Sequence, residues 1–420
     1  MRSTYLSFQP FYSNERTEVK RETYNKSIAL YIHIPFCEKK CYYCSIVTKQ
    51  NTSEMLLDEY LSALEKEMIS KKIKSTYMIK CVHIGGGTPS ILNIKQLQKL
   101  MAILSENIYN FNAIEKVIEA NTHSMTLDKI DFLSSQKNVT INYGIQTFDN
   151  SILKLINRDS NREKIMEILQ YTSEKNFKSI GIDLMLGLPT SNLNTCLLDI
   201  EIAKSLNVDH IALYPLRIEP KTVFFLKMNE YENRIPNDEN LCQIIAQCET
   251  KMKKLGYKQY SIFHYTAKNE MTHQYGREQL SGLEWIGIGA GAYSYINGYS
   301  FKNIENSNKY IQTINDCKPI GICINKMNLV QQIIHELLYK IRIGLIYKQE
   351  IIDSYGIYGV YFMDCLRLLI EKKYIVELKN TFVFTKLGIL YVGDIENYIR
   401  EYFDNIHKNI IKKNCNISNM

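Results

Sequence analysis

The amino-acid sequence predicts an α/β protein, namely a partial (β/α)6 barrel followed by a smaller C-terminal α+β module that is similar to a winged helix. Two observations support this prediction. Short apolar runs alternate with longer helical patterns over most of the chain, which is typical of strand–helix units around a parallel sheet. From about Asn325 onward the pattern changes to three helices and a hairpin, so a second module is expected there.

Six short apolar runs are the candidate strands of the barrel, and helical segments separate most of them. They are Ala29–Ile34, Cys81–Ile84, Lys116–Glu119, Thr140–Gly144, Ser179–Asp183 and His210–Tyr214. Six units are too few for a closed eight-stranded barrel, so a partial barrel is expected. Polar or glycine-rich residues follow each run directly, and functional residues of barrels lie at the carboxyl ends of their strands.

The C-terminal segment contains candidate helices and a candidate hairpin. The helices are Val330–Ile341, Gln349–Tyr355 and Val360–Lys372, and the strands are Tyr374–Leu378 and Thr381–Thr385. A packing appendage is favoured over a nucleic-acid-binding role. The predicted divisions are an N-terminal extension (1–28), the partial barrel (29–250), a barrel-completing segment with a late glycine-rich run (251–324), and the winged-helix-like module with a basic tail (325–420).

Composition is that of an ordinary globular protein, with 420 residues and 45% hydrophobic content. The net charge of +7 is spread along the chain, which favours a solvated surface over a nucleic-acid interface. No apolar leader and no run of roughly 18 apolar residues is present, so we expect a cytoplasmic protein with no membrane partner. Most of the 11 cysteines are interpreted as small buried hydrophobes.

Three cysteines are spaced for metal chemistry. Cys37, Cys41 and Cys44 allow three thiolates to converge on one [4Fe-4S] cluster, and because full protein ligation takes four thiolates, one iron would stay free. Zinc would need a fourth ligand and a partner knuckle that is not evident. A structural disulfide is disfavoured for a chain of this size, and three unrelated buried cysteines are the remaining alternative.

The spacing CxxxCx-aromatic-C resembles the signature of the radical S-adenosylmethionine (SAM) superfamily. The preceding segment Tyr31–Phe36 narrows the resemblance to the coproporphyrinogen III oxidase-like branch, over roughly residues 28 to 400. The resemblance implies a [4Fe-4S] cluster held by the three cysteines, with SAM on the free iron. It also implies reductive cleavage of SAM to a 5′-deoxyadenosyl radical and an electron donor of the flavodoxin or ferredoxin type.

The same resemblance implies which residues bind SAM. The glycine turn after the second strand meets the methionine part, a glutamate contacts the ribose or ammonium group, and an arginine pairs in a fork with the carboxylate. Carried over residue by residue, the SAM-binding positions are Tyr31, Tyr43, Gly86, Gly87, Thr88, Glu119, Gln146, Arg158 and Asp183.

Two departures bear on the reaction. Ile46 stands where the oxidase usually has a further cysteine, and Tyr275–Leu280 replaces the His-Asn-x-x-Tyr-Trp motif of related haem chaperones. The late run around Gly289 either faces substrate or permits tight packing.

The main hypothesis is a radical SAM oxidoreductase of porphyrin metabolism, similar to coproporphyrinogen dehydrogenase, acting on a tetrapyrrole-like substrate. A haem chaperone, a radical SAM methyltransferase on a heteroaromatic compound, and a winged-helix regulator with a sensing cluster are the alternatives.

Overall fold

A computed structural model describes residues 26–268 and 273–417, and most of the predicted N-terminal extension and the side chains of the predicted basic tail lie outside the described residues. The strands in the described residues are β1 (Lys26–Ile34), β2 (Tyr77–Gly86), β3 (Glu115–Ala120), β4 (Val139–Gln146), β5 (Ser179–Leu186), β6 (His210–Pro215), β7 (Lys258–Gln259), β8 (His264–Thr266), β9 (Trp285–Ile288), β10 (Tyr293–Ile296), β11 (Tyr299–Asn303), β12 (Gly321–Lys326), β13 (Leu345–Tyr347), β14 (Ile375–Leu378) and β15 (Thr381–Phe384).

The large sheet has the order β12-β11-β10-β9-β1-β2-β3-β4-β5-β6-β8-β7. Strands β1 to β6 are parallel neighbours in chain order, as the six apolar runs predict. The late strand β9 pairs in parallel with β1, and antiparallel strands extend the sheet at both edges. The predicted α/β class is therefore confirmed.

The α-helices of the described residues lie mainly between these strands. They are α1 (Glu54–Ser70), α2 (Ile73–Thr76), α3 (Ile94–Asn107), α4 (Leu127–Ser135), α5 (Asn150–Leu155), α6 (Arg162–Ser173), α7 (Leu193–Ser205), α8 (Val223–Leu226), α9 (Met228–Tyr231), α10 (Asp238–Lys254), α11 (Gln274–Leu280), α12 (Ser307–Asn315), α13 (Leu329–Ile341), α14 (Lys348–Tyr355), α15 (Ile357–Glu371), α16 (Lys386–Leu390) and α17 (Val392–Ile417). None of the helices in this part of the chain combines the length and apolar character needed to cross a membrane.

Local sequence explains where the barrel helices begin. In α3, the Asn93 side chain accepts from the Gln96 backbone N–H at 2.9 Å, and the Gln96 side chain accepts from the Asn93 N–H at 3.1 Å. This capping box starts the helix, and apolar residues spaced three and four apart then bury one face of it against the sheet. The main core is formed in this way between helices and parallel strands.

The observed barrel strands are longer than the predicted ones. Strand β2 starts at Tyr77 rather than Cys81, because exposed Met78 and half-buried Lys80 alternate with buried residues and interrupt the apolar run. Alternation of this kind marks a strand with one face more accessible than the other, so an apolar-run criterion finds only the fully buried part.

The C-terminal segment has its own apolar core and a three-stranded antiparallel sheet in the order β13-β15-β14. Its predicted helices and strands are present, but α15 begins at Ile357 rather than Val360, directly after Gly356 in a positive-φ conformation. The long helix α17 was not predicted. Ile262 of the barrel belongs to the same core, and its N–H donates to the Arg342 carbonyl at 3.0 Å, so the two parts pack together.

Candidate cofactor site

The three cysteines lie on one loop that leaves the carboxyl end of β1. Backbone hydrogen bonds fix the loop: Cys37 N donates to Lys49 O at 3.1 Å, and Tyr42 N donates to Ile156 O at 3.1 Å. Cys37, Cys41 and Cys44 are partly buried free thiols. The loop therefore presents three free thiols at the strand-end rim where the sequence predicts the cluster ligands.

The thiols are close enough to influence one another. Burial raises the pKa of Cys37 and of Cys44, and the charge of a Cys41 thiolate raises both pKa values further. The Thr88 hydroxyl lies 3.4 Å from Cys37 Sγ and opposes the rise in the pKa of Cys37, although burial is the larger effect. Arg158 Nη1 lies 3.4 Å from Cys41 Sγ, so a cationic donor faces this sulfur.

Among the residues that the structure describes, no group of three or more His, Cys, Asp or Glu side chains is arranged around one metal ion. A [4Fe-4S] cluster fully held by protein takes four cysteine thiolates, and this loop supplies three.

The glycine turn at the end of β2 packs directly on the cysteine loop. Gly87 N donates to Ile34 O and Thr88 N donates to Phe36 O, each at 2.8 Å. A Cβ at Gly87 would lie 2.5 Å from Phe36 O, and Gly86 has a φ of +111°. Only glycine permits the close backbone approach at Gly87 and the positive φ at Gly86. We call this turn of exposed backbone beside the thiols the glycine cradle.

Glu119 is the second-last residue of β3 and lies beside this cradle. It accepts from His83 Nε2 at 2.9 Å and from Gly86 N at 3.3 Å. Burial raises the pKa of Glu119, but the hydrogen bond and charge of His83 outweigh that effect, and the pKa lies below its usual value. Because 40% of the side chain is exposed, an ionised carboxylate is available to a ligand.

Gln146 is the last residue of β4, and Arg158 follows helix α5 and reaches back to the end of that strand. Gln146 is buried with a φ of +74°, and its Oε1 accepts from Tyr214 Oη at 2.9 Å. Arg158 Nη1 lies 3.3 Å from Tyr43 Oη, and its Nη2 donates to the Gly144 carbonyl. The structure therefore brings both predicted residues and Tyr43 to the rim of the cysteine loop.

Asp183 and Tyr31 complete the predicted set. Asp183 Oδ1 accepts from Asn142 Nδ2 at 2.9 Å, and burial, with a smaller contribution from the charge of Glu119, raises the pKa of Asp183 to about 7. Tyr31 stacks on His83 and its hydroxyl lies 2.9 Å from His33 Nδ1. Tyr31 thus contacts the histidines behind Glu119 rather than the cysteines.

Sequence reasoning missed the side chains that hold the two carboxylates. His83 and Asn142 each lie on a strand next to the carboxylate they contact, two residues before Gly85 and Gly144. The sequence did contain a usable signal. Side chains alternate between the two faces of a strand, so a residue two positions before a strand-end residue lies on the same face as that residue.

The late glycine-rich run is held by a buried glutamate that the sequence analysis also missed. Gly289 N donates to Glu67 Oε2 and Ala290 N donates to Tyr60 Oη, each at 2.8 Å. Tyr60 Oη in turn donates to His33 O at 2.7 Å. Of the two roles considered for this run, the contacts support packing against α1 and the end of β1.

Known proteins resemble this chain over most of its length. Residues 31–200 match the family model described as the Radical SAM superfamily. The heme chaperone HemW of Bacillus subtilis is 31% identical over 370 residues, which cover 87% of this chain and 97% of that protein. The oxygen-independent coproporphyrinogen III oxidase of Escherichia coli is 26% identical over 82% of this chain and 78% of that protein. The solved structure of coproporphyrinogen III oxidase (HemN) from Escherichia coli superposes with a TM-score of 0.76 at 22% identity, covering 89% and 90% of the two chains.

Proposed function

We propose that this chain, which belongs to the HemN/HemW-like family of the radical SAM superfamily, cleaves SAM reductively and acts on a tetrapyrrole-like substrate. Its cofactors are a [4Fe-4S] cluster and SAM. When bound, they supply one-electron chemistry that removes hydrogen from an unactivated carbon, while the protein orients the reactants and excludes water. The observation that carries this proposal is a loop of three interacting free thiols packed against a glycine cradle.

The thiols of Cys37, Cys41 and Cys44 would hold the cluster. Support comes from the neighbouring groups, since Thr88 contacts one sulfur and the Arg158 guanidinium contacts another. A cationic donor next to a thiolate offsets part of the negative charge that accumulates when three thiolates share one cluster.

The strand-end residues would hold SAM. Glu119 offers an ionised, half-accessible carboxylate to an ammonium or hydroxyl donor, and the protonation state of Asp183 makes it both donor and acceptor near neutral pH. The backbone of the glycine cradle approaches the ligand without side chains in between. The complete proposed set is Tyr31, Tyr43, Gly86, Gly87, Thr88, Glu119, Gln146, Arg158 and Asp183.

A tetrapyrrole-like substrate is supported by the names of two relatives, a heme chaperone at 31% identity and a coproporphyrinogen III oxidase at 26% identity. The higher identity favours a haem chaperone as the second candidate function. Against it, Tyr275 begins the segment that replaces the chaperone's His-Asn motif, and its buried ring packs 4.7 Å from His83 instead of presenting an imidazole. An electron donor of the flavodoxin or ferredoxin type would reduce the cluster.

Anaerobic reconstitution followed by dithionite tests the proposal. We expect release of 5′-deoxyadenosine, and mass spectrometry of mixtures with coproporphyrinogen III is expected to show a modified tetrapyrrole. Cys41→Ala is the negative control and Cys323→Ala, a buried cysteine far along the chain, is its matched positive control. Stoichiometric haem binding without any cleavage of SAM would favour the chaperone instead.

A further inference from the structure

Helix α7 carries an aspartate on its buried face. Four buried residues recur there at the spacing of three and four positions that defines one side of a helix: Cys196, Asp199, Ile200 and Ala203. Asp199 is only 7% exposed, and burial raises the pKa of its carboxyl to about 7, so ionising this group costs free energy in the folded protein. Stability alone favours an apolar residue at such a position, so the carboxyl needs another explanation.

Asp199 contacts the turn that follows strand β4. Its Oδ1 accepts from the Phe148 backbone N–H at 2.8 Å, and the Thr147 hydroxyl donates to the same carboxyl. Both turn residues are buried. Because Phe148 lies beyond the end of β4, its N–H is outside the ladder of the sheet, and the carboxyl of α7 supplies the acceptor that a buried N–H requires.

This turn begins at Gln146, whose backbone conformation is strained. Gln146 has a φ of +74°, a region that residues with a side chain rarely adopt, and the pairing of β4 with β5 shifts register between Gly144 and Gln146. A strained conformation of this kind persists only where surrounding contacts hold it. The contacts of Thr147 and Phe148 with α7 lie one and two residues away, so they hold the backbone that presents the Gln146 side chain.

The same turn leads into α5 and from there to Arg158. Asp149 caps α5, because its Oδ1 accepts from the Ile152 N–H at 3.0 Å. After the helix, Arg158 N donates to Leu153 O at 2.9 Å, so the backbone of the arginine is fixed to α5. One anchored turn therefore governs the positions of two proposed SAM-binding residues, the glutamine before it and the arginine after it.

We propose that Asp199 is a positioning residue for the SAM site, acting through the backbone of Phe148 and not by contact with the cofactor. By fixing the turn, it holds Gln146 and Arg158 where the site needs them. This inference rests on the SAM site proposed above. Since burying the carboxyl costs free energy, its removal should weaken cofactor binding more than it weakens the fold.

Binding of S-adenosylhomocysteine to the cluster-loaded protein, measured anaerobically by isothermal titration calorimetry, tests the inference. Asp199→Leu replaces the carboxyl by an apolar group and removes the acceptor, and we expect the dissociation constant to rise about tenfold. Asp199→Asn keeps an oxygen that can accept from the Phe148 N–H, so its dissociation constant should stay within about threefold of that of the unmodified protein.

Asp209 provides the matched control. Its Oδ2 accepts from the Ile180 backbone N–H at 3.0 Å, which is the same kind of contact at the opposite, amino end of β5. Asp209→Leu also loses the ion pair with Lys268 and should be the less stable of the two leucine variants in urea. Its dissociation constant for S-adenosylhomocysteine should nevertheless change by less than about twofold.

The outcomes separate this inference from the proposed function. Unchanged affinity in Asp199→Leu, an equal loss in Asp199→Leu and Asp209→Leu, or an equal loss in Asp199→Leu and Asp199→Asn would each overturn the positioning role while the proposed function stands. If Asp199→Leu does not fold, as judged by circular dichroism, the smaller replacement Asp199→Ala removes the same acceptor and is held to the same comparisons. Failure of the unmodified protein to bind S-adenosylhomocysteine would instead refute the proposed SAM site.

Discussion

Glu67 on α1 connects the late strands β9 and β11 to the barrel. Its replacement should most clearly test how much this connection stabilises the protein. Its side chain is fully buried. Oε1 accepts from Lys71 Nζ at 2.5 Å and from Asn303 Nδ2 at 2.8 Å, and Oε2 accepts from Gly289 N at 2.8 Å and from Tyr310 Oη at 2.5 Å. One carboxylate thus joins α1, the turn after β9, the end of β11 and helix α12.

Glu67→Gln keeps the shape of the side chain but replaces one oxygen by an NH2 group. Each carboxylate oxygen accepts from two donors, so two of the four donors would then face the N–H hydrogens of the new amide. The Lys71 ammonium would also lose its ionic partner. Hydrogen bonds to charged groups contribute about 1.5–3 kcal/mol each, and removing one partner of a buried ion pair costs about 3–5 kcal/mol. We therefore expect the free energy of unfolding to fall by roughly 3–5 kcal/mol.

Urea unfolding followed by circular dichroism measures this change, with Glu59→Gln as the matched control. Glu59 lies on the same helix with an exposed side chain, and its replacement should change the free energy of unfolding by no more than about 0.5 kcal/mol. If the two variants unfold at the same urea concentration, the buried carboxylate does not stabilise the late strands and the explanation of the glycine-rich run is wrong.

Three further predictions concern the site. Cys41→Ala should abolish the visible absorbance of the reconstituted cluster and Cys365→Ala should not; equal loss in both would mean that the wrong thiols were chosen. Because the pKa of Asp183 is raised to about 7, the unfolded chain releases this proton at lower pH than the folded protein. Stability in urea should therefore fall as pH rises from about 4 to about 7, and Asp183→Asn should flatten this slope; an identical slope would contradict the prediction. His83→Phe removes the donor to Glu119 and should weaken binding of S-adenosylhomocysteine by at least about tenfold, whereas His83→Gln keeps a donor and should bind more tightly than His83→Phe; equal affinities would count against the contact.

Local sequence patterns were sufficient to predict the parallel strands and the position of the cysteine loop. A buried parallel strand is a nearly continuous apolar run, and residues near its carboxyl end lie at one rim, so chain order alone indicated the region of Glu119 and Asp183. The predicted strand end at Asp183 was wrong, because β5 continues to Leu186. The same criterion failed where burial alternates, as at the start of β2, and it missed α17.

The sequence by itself determined the fold class and indicated the three thiols and the residues near the strand ends as candidates, because each depends on spacing within a few residues. Only the tertiary structure decided which groups meet across the chain: Arg158 contacts Cys41 across 117 positions, and Glu67 contacts Asn303 across 236. Contacts at such separations follow from how strands and helices pack in three dimensions.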